Sequence, residues 1–181
     1  AYAEVLQTYL GEKVDKIESG KTYFLVEDIN DPTYGNLAVG FSSYSEESSK
    51  ITVAPLYTNY DNGEINIDDY SWVVTETTSD LTGQTVVTFK NVKTGKYLYV
   101  TNDGTAIVTD LTTDATTYSN VWVWNGFKTY DKASTPKYLV AGKAAAATTP
   151  SYNCLHWDAT NGLHTTATTW AKGFSLYKAA D

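Results

Sequence analysis

The sequence predicts an all-β domain of three like units, each of about four strands around a pseudo-threefold axis, standing behind a short N-terminal helix. Three observations carry this. The large apolar residues are chiefly aromatic and β-branched, with 15 Tyr, 5 Trp and 5 Phe against no Met, and such side chains pack well on a pleated surface. Strand, turn, strand segments recur along the chain. An aromatic-x-apolar strand closes each unit, its first aromatic at Trp72, Trp122 and Phe174, spacings of 50 and 52 residues. The length, 181 residues, suits one closed core, and a β-sandwich with an N-terminal helix is the alternative arrangement of the same strands.

From Ala3 to Ile17 the apolar residues Val5, Leu6, Tyr9, Leu10, Val14 and Ile17 gather on one face at helical spacing, which predicts an amphipathic helix within a segment 1–19. Gly11 interrupts it at about 1 kcal/mol relative to Ala. Ser19-Gly20 stops it. The strand domain spans 20–181, with units at about 20–80, 81–125 and 126–181. In the first, Tyr23-Phe24-Leu25-Val26-Glu27-Asp28 leads through Asp31-Pro32-Thr33-Tyr34-Gly35 to Asn36-Leu37-Ala38-Val39. In the second, Val87-Thr88-Phe89-Lys90-Asn91 leads through Lys93-Thr94-Gly95 to Lys96-Tyr97-Leu98-Tyr99-Val100. The third runs from Phe127-Lys128-Thr129-Tyr130-Asp131 through Ser134-Thr135-Pro136 to Lys137-Tyr138-Leu139-Val140. Pro and Gly in the turns supply the special backbone angles that hairpins need. A third strand follows in each unit, at Ile51-Thr52-Val53, Ala106-Ile107-Val108 and Cys154-Leu155-His156-Trp157. Leu37, Leu98 and Leu139 are expected to face inward, and Trp72, Trp122 and Phe174 to be core.

Three four-stranded units close into a barrel capped by hairpins, which removes exposed strand edges. The pattern resembles the β-trefoil superfamily and its ricin-type lectin-like domains, on the strength of strands such as Val92-Lys93-Thr94-Gly95-Lys96-Tyr97-Leu98-Tyr99-Val100 and over roughly residues 20–181. The Gln-x-Trp signature of those lectins is absent here. The resemblance implies a stacking aromatic late in a repeat and an Asp near its first turn. That Asp corresponds to Asp131 in the third unit and to Asp28 or Asp31 in the first.

Charge narrows the partners. All 13 basic residues are Lys, against 21 acidic ones, so no guanidinium is present for bidentate contact with phosphates or bases. A net charge of −8 also opposes anionic membrane surfaces, and no apolar run approaches the roughly 20 residues of a membrane-spanning helix. Nucleic acid and membrane insertion are therefore not expected. The lone Cys154 makes no intramolecular disulfide. A start at Ala1-Tyr2-Ala3 and a chain rich in Thr, Tyr, Asn and Gly lead to the expectation of a secreted or cell-surface bacterial protein.

Catalytic patterns are missing: there is no phosphate-binding Gly loop, no Gly-x-Ser-x-Gly elbow and no metalloprotease helix motif. Cys154, His156 and His164 lack the paired spacing of a zinc site, and acidic pairs such as Asp68-Asp69 read as solvated turns. The expectation is a protein that is not an enzyme and needs no cofactor or metal. Carbohydrate binding fits better, because sugar rings stack on aromatic faces while their hydroxyls take hydrogen bonds from Asp and Asn. The best local cluster is His156, Trp157, Asp158 and Asn161, with Asp131 and Tyr34 as outlying ligand-binding candidates. The expected function is thus a lectin-like module for a glycan or surface polysaccharide. The alternative is a protein-binding domain, either a protease inhibitor or an adhesin, using the loops from Ser42 to Lys50 and from Tyr57 to Asp69.

Overall fold

The structure, a computed structural model, describes residues 4–14, 16–31, 35–40, 52–55, 59–60, 67–78, 85–101, 106–109, 118–119, 122–124, 139–141, 154–158, 160–166 and 174–180. Its strands are β1 (Glu4–Val5), β2 (Leu10–Val14), β3 (Lys21–Asp31), β4 (Gly35–Gly40), β5 (Thr52–Pro55), β6 (Asn59–Tyr60), β7 (Ser71–Thr78) and β8 (Thr85–Asn91). They continue as β9 (Tyr97–Thr101), β10 (Ala106–Thr109), β11 (Tyr118–Ser119), β12 (Trp122–Trp124), β13 (Leu139–Ala141), β14 (Cys154–Asp158), β15 (Gly162–Thr166) and β16 (Phe174–Ala179). Two single-turn 3-10 segments, Leu6–Tyr9 and Ile67–Tyr70, are the helical pieces among the described residues.

Period-two patterning fixes which side chains face the centre. Along β3, Tyr23 and Leu25 enter the main core while Phe24 and Val26 enter a second cluster on the opposite face. The main core is completed by Trp72 and Val74 of β7, Val87 and Phe89 of β8, Leu98 of β9, and Phe174 and Leu176 of β16. Val74 lies directly opposite Phe89, a cross-strand pair in a fully buried position. Leu98, Trp72 and Phe174 are thus buried as the sequence predicts. The side chains of Leu37, Leu139 and Trp122 lie outside the description.

All the pairing among the described residues is antiparallel. β3 sits between β7 and β16 and also pairs with β4, which pairs with β5. β8 sits between β7 and β12 and meets β9, which pairs with β10. β13 pairs with β12 and with β14, which pairs with β15. Leu139–Ala141 thus lies between Trp122–Trp124 and Cys154–Asp158. Gly162–Thr166 is a strand that the pattern missed. The expected first strand of that unit, 127–131, lies outside the described residues.

The expected N-terminal helix is corrected: residues 4–14 run strand, 3-10 turn, strand. Helical and extended periods coincide at several positions of a short apolar run, and here tertiary pairing decides. β2 lines up along β16, with Leu176 opposite Val14, Tyr177 opposite Lys13 and Ala179 opposite Leu10, so that Gly11 and Glu12 share the single Lys178. This bulge switches the face of the strand. Val14 then packs on the main core, and Leu10 joins Tyr9, Ile67 and Tyr177 around Phe24, Val26 and Tyr70 in the second cluster. Gly11 makes the close approach feasible, because a Cβ there would stand 2.7 Å from the Ala179 carbonyl oxygen.

Candidate functional site

The segment Asp158–Gly162 closes the β14–β15 hairpin, and its chemistry is local. Gly162 takes a φ of +68°, in the left-handed region that glycine enters at least cost. Asp158 Oδ1 accepts the backbone N–H of Thr160 at 2.9 Å and of Asn161 at 2.6 Å, while Oδ2 accepts the Asn161 side-chain amide at 3.2 Å. This is an Asx-type turn. Burial by itself raises the Asp158 carboxyl, but the hydrogen bonds from Asn161 and Thr160, together with His164, outweigh it and leave the group below its ordinary value.

The pleat then sorts the hairpin into two faces. Leu155 and Leu163 point into the main core, and Trp157, directly opposite Leu163, is half-buried and packs on that core. His156 and His164 are directly opposite each other on the other face, their rings 5.9 Å apart at 63°. Asp158 joins them, with Oδ2 3.4 Å from His164 Nε2. His164 Nδ1 donates to the Gly162 carbonyl at 2.8 Å. The structure therefore brings together His156, Asp158 and Asn161, adds His164, and turns Trp157 the other way. Asp131 and Tyr34 lie outside the described residues.

Glu27 joins this hairpin to the barrel. It is 1% exposed, at the end of the apolar run in β3. Its Oε2 accepts from His156 Nδ1 at 2.5 Å and its Oε1 accepts the Trp157 backbone N–H at 2.8 Å. Between β13 and β14 the described register is Val140 opposite Cys154, and the Glu27 carboxylate ties the far end of β14 to β3. A buried carboxylate is costly unless it is paired and hydrogen-bonded, and this one is both. Sequence reasoning missed its role. Two signals point to it: a charged residue in an apolar two-sided strand demands a partner, and an Asp158–Gly162 turn sets His156 opposite His164.

The same turn chemistry recurs after β8. Asn91, fully buried, accepts from the Thr94 N–H at 3.0 Å and its hydroxyl at 3.1 Å, and donates to the Asp69 carbonyl at 3.0 Å. The acidic pair Asp68-Asp69 thus lends backbone carbonyls to this turn, Asp68 accepting from the Lys93 N–H at 3.1 Å. Burial raises the Asp69 carboxyl, Lys93 lowers it and Asp68 raises it further. Its neighbourhood is structural. Among the described residues no three His, Cys, Asp or Glu side chains are grouped to hold a metal ion, and no helix is long and apolar enough to cross a membrane.

No family model matches the chain, and no curated protein matches it. Solved structures do. One described as an uncharacterised protein from Caenorhabditis elegans, its function unknown, is 14% identical, with 94% of this chain and 99% of that one aligned at a TM-score of 0.45. Another, the BEL beta-trefoil in an apo crystal form, is 12% identical and aligns over 91% of this chain and 96% of its own at a TM-score of 0.55. At that identity the likeness speaks to architecture alone, and together with the antiparallel pairings it makes this chain's fold β-trefoil-like.

Proposed function

We propose that the chain is a non-catalytic, lectin-like carbohydrate-binding module of a secreted or cell-surface bacterial protein. The observation that supports this best is the face of the β14–β15 hairpin that Trp157 does not share, where His164, Asp158 and Asn161 converge beside the buried His156. A few convergent polar groups on a rigid scaffold are what orient a polyhydroxylated ligand. Recognition in this reading rests on polar contacts, and Trp157 supports the hairpin from the core side. The composition, acidic and free of Arg, accords with a neutral or cationic glycan and with an extracellular setting. We also read the pairings as three trefoil units, β3-β4-β5-β7, β8-β9-β10-β12 and β13-β14-β15-β16, each opening with a strand that pairs with the next.

A broad glycan array probed with the parent protein and with His164→Ala tests the reading. His164 is partly buried and its polar contacts are local to the hairpin, so its truncation is expected to cost about 1–2 kcal/mol and leave the protein folded, while abolishing the glycan signal. A parent protein that captures no glycan sinks the proposal. So does a variant that binds as the parent does.

A further inference from the structure

Where β3 and β16 leave the core, their inward positions change character. The pleat places Lys21 on the same side of β3 as the core residues Tyr23 and Leu25, and Lys178 on the same side of β16 as the core residues Phe174 and Leu176. Tyr177 lies opposite Phe24, which sets Lys178 beside Tyr23. At this end of the strands an open cleft of about 320 Å³ is lined by Glu18, Lys21, Thr22, Tyr23 and Lys178. Its rim is fastened from several sides. The Glu18 N–H donates to the Tyr23 hydroxyl at 2.9 Å, and the Glu18 carbonyl accepts from the Lys21 N–H at 3.1 Å. On the side of β7, the Gly20 N–H donates to the Val74 carbonyl at 2.8 Å and Ser19 Oγ accepts the Glu76 N–H at 2.9 Å. Tyr23 is 2% exposed, and its hydroxyl, having accepted from Glu18, keeps its own proton to donate. Among the described residues neither Lys21 nor Lys178 forms an ion pair, so Glu18 compensates neither of them directly.

We infer that this cleft is a second ligand site, for a single-ring molecule carrying an oxyanion, either a carboxylate or a phosphate ester. Two ammonium groups at one opening repel each other, and the lining is positive in sum, two Lys against one Glu. An oxyanion between them accepts from both, and each such bond is charge-assisted. The Tyr23 proton is a neutral donor at the same wall. The cleft's 320 Å³ stands at the low end of small-molecule sites, which run from about 300 to 1,000 Å³, so it suits one ring with its anionic group better than a chain of rings. The net charge of −8 opposes anions at long range, but screening confines that field to about 8 Å at physiological salt, and inside the cleft the lysines govern. Lys21 stands six residues from Glu27 along β3, about 20 Å away, so this site is separate from the β14–β15 hairpin. The inference therefore goes beyond the carbohydrate-binding reading and stands without it.

Amide chemical shifts of the full chain test this, followed near neutral pH during titration with glucuronic acid, glucose 6-phosphate and glucose, and with acetate and inorganic phosphate as bare anions. The two sugar anions are expected to move the amides of Glu18, Lys21, Thr22 and Lys178 saturably, while glucose leaves them in place. The tighter of the two identifies the oxyanion as carboxylate or phosphate. Lys21→Gln and Lys178→Gln remove the charge at exposed positions and keep most of the stem, so each is expected to fold as the parent does and to weaken binding about fivefold. His164→Ala is expected to leave this binding unchanged, which separates the site from the hairpin's. Absence of saturable shifts at these four amides overturns the inference. So does an affinity that survives in the double Lys21→Gln, Lys178→Gln variant. A bare anion that binds as tightly as its sugar counterpart also overturns it, since the cleft then takes an adventitious ion only.

Discussion

Asp158 shows how one side chain can close a turn and border a ligand site at once. Its Oδ1 holds the Thr160 and Asn161 amides inside the hairpin, and its Oδ2 looks outward past Asn161 to His164. Because the native carboxyl sits below its ordinary 3.8, the unfolded chain binds the proton more readily in the acid range. The stabilisation is therefore complete above 3.8 and is lost as the pH falls through the lowered native value. Amide chemical shifts of Thr160 and Asn161, followed in acid, should report one titration in that window. In Asp158→Asn the titration should vanish. Unchanged shifts in the parent down to about pH 2 would contradict the hydrogen bonds to Oδ1. The group is 36% exposed, so solvent screening keeps the effect on global stability small.

At the scale of elements, the N-terminal segment is the instructive case. Residues 10–14 are a strand because β16 offers them a ladder, and Gly11 lets the two backbones meet. Gly11→Ala would place a methyl 2.7 Å from the Ala179 carbonyl oxygen and 3.1 Å from that of Lys178. Both are backbone atoms in a paired strand and neither can turn aside. A loss of about 1–3 kcal/mol is expected in urea unfolding, the range for overpacking at a tight contact. A cost under about 0.5 kcal/mol would mark Gly11 as an open surface position and argue against the β2–β16 register. The β14–β15 hairpin is the opposite case, since its turn is local while its attachments, through Glu27 and through Leu155 and Leu163 in the main core, are distant.

For the whole molecule, the main core draws on strands from every part of the described chain, from Tyr23 to Leu176. Leu98 is the test of that unity, because it is fully buried and comes from β9, which among the described residues pairs with β8 at Tyr97 opposite Lys90. Leu98→Ala is expected to destabilise the protein by about 2–5 kcal/mol, through lost transfer energy and the cavity left behind. Denaturant melts followed by Trp fluorescence and by circular dichroism should shift together if the core is one cooperative unit. Separate transitions would divide it.

The sequence by itself determined the all-β class, the inward faces of strands such as Trp72-Val73-Val74 and Phe174-Ser175-Leu176, and the Gly-bearing turn at Asp158–Gly162. Each of these depends on residues within a few positions of one another, where side-chain period and backbone sterics act directly. Tertiary structure decided what local patterns leave degenerate. A short apolar run such as Val5 to Val14 suits either period until β16 lies beside it. Trp157 and Asp158 are neighbours in sequence but belong to opposite faces, because the strand's pleat separates what adjacency seems to join. The link from Glu27 to His156 spans 129 positions, so it exists only once the register of the intervening strands has been set. That is why the hairpin's polar residues were legible in the sequence and the carboxylate that positions them was not.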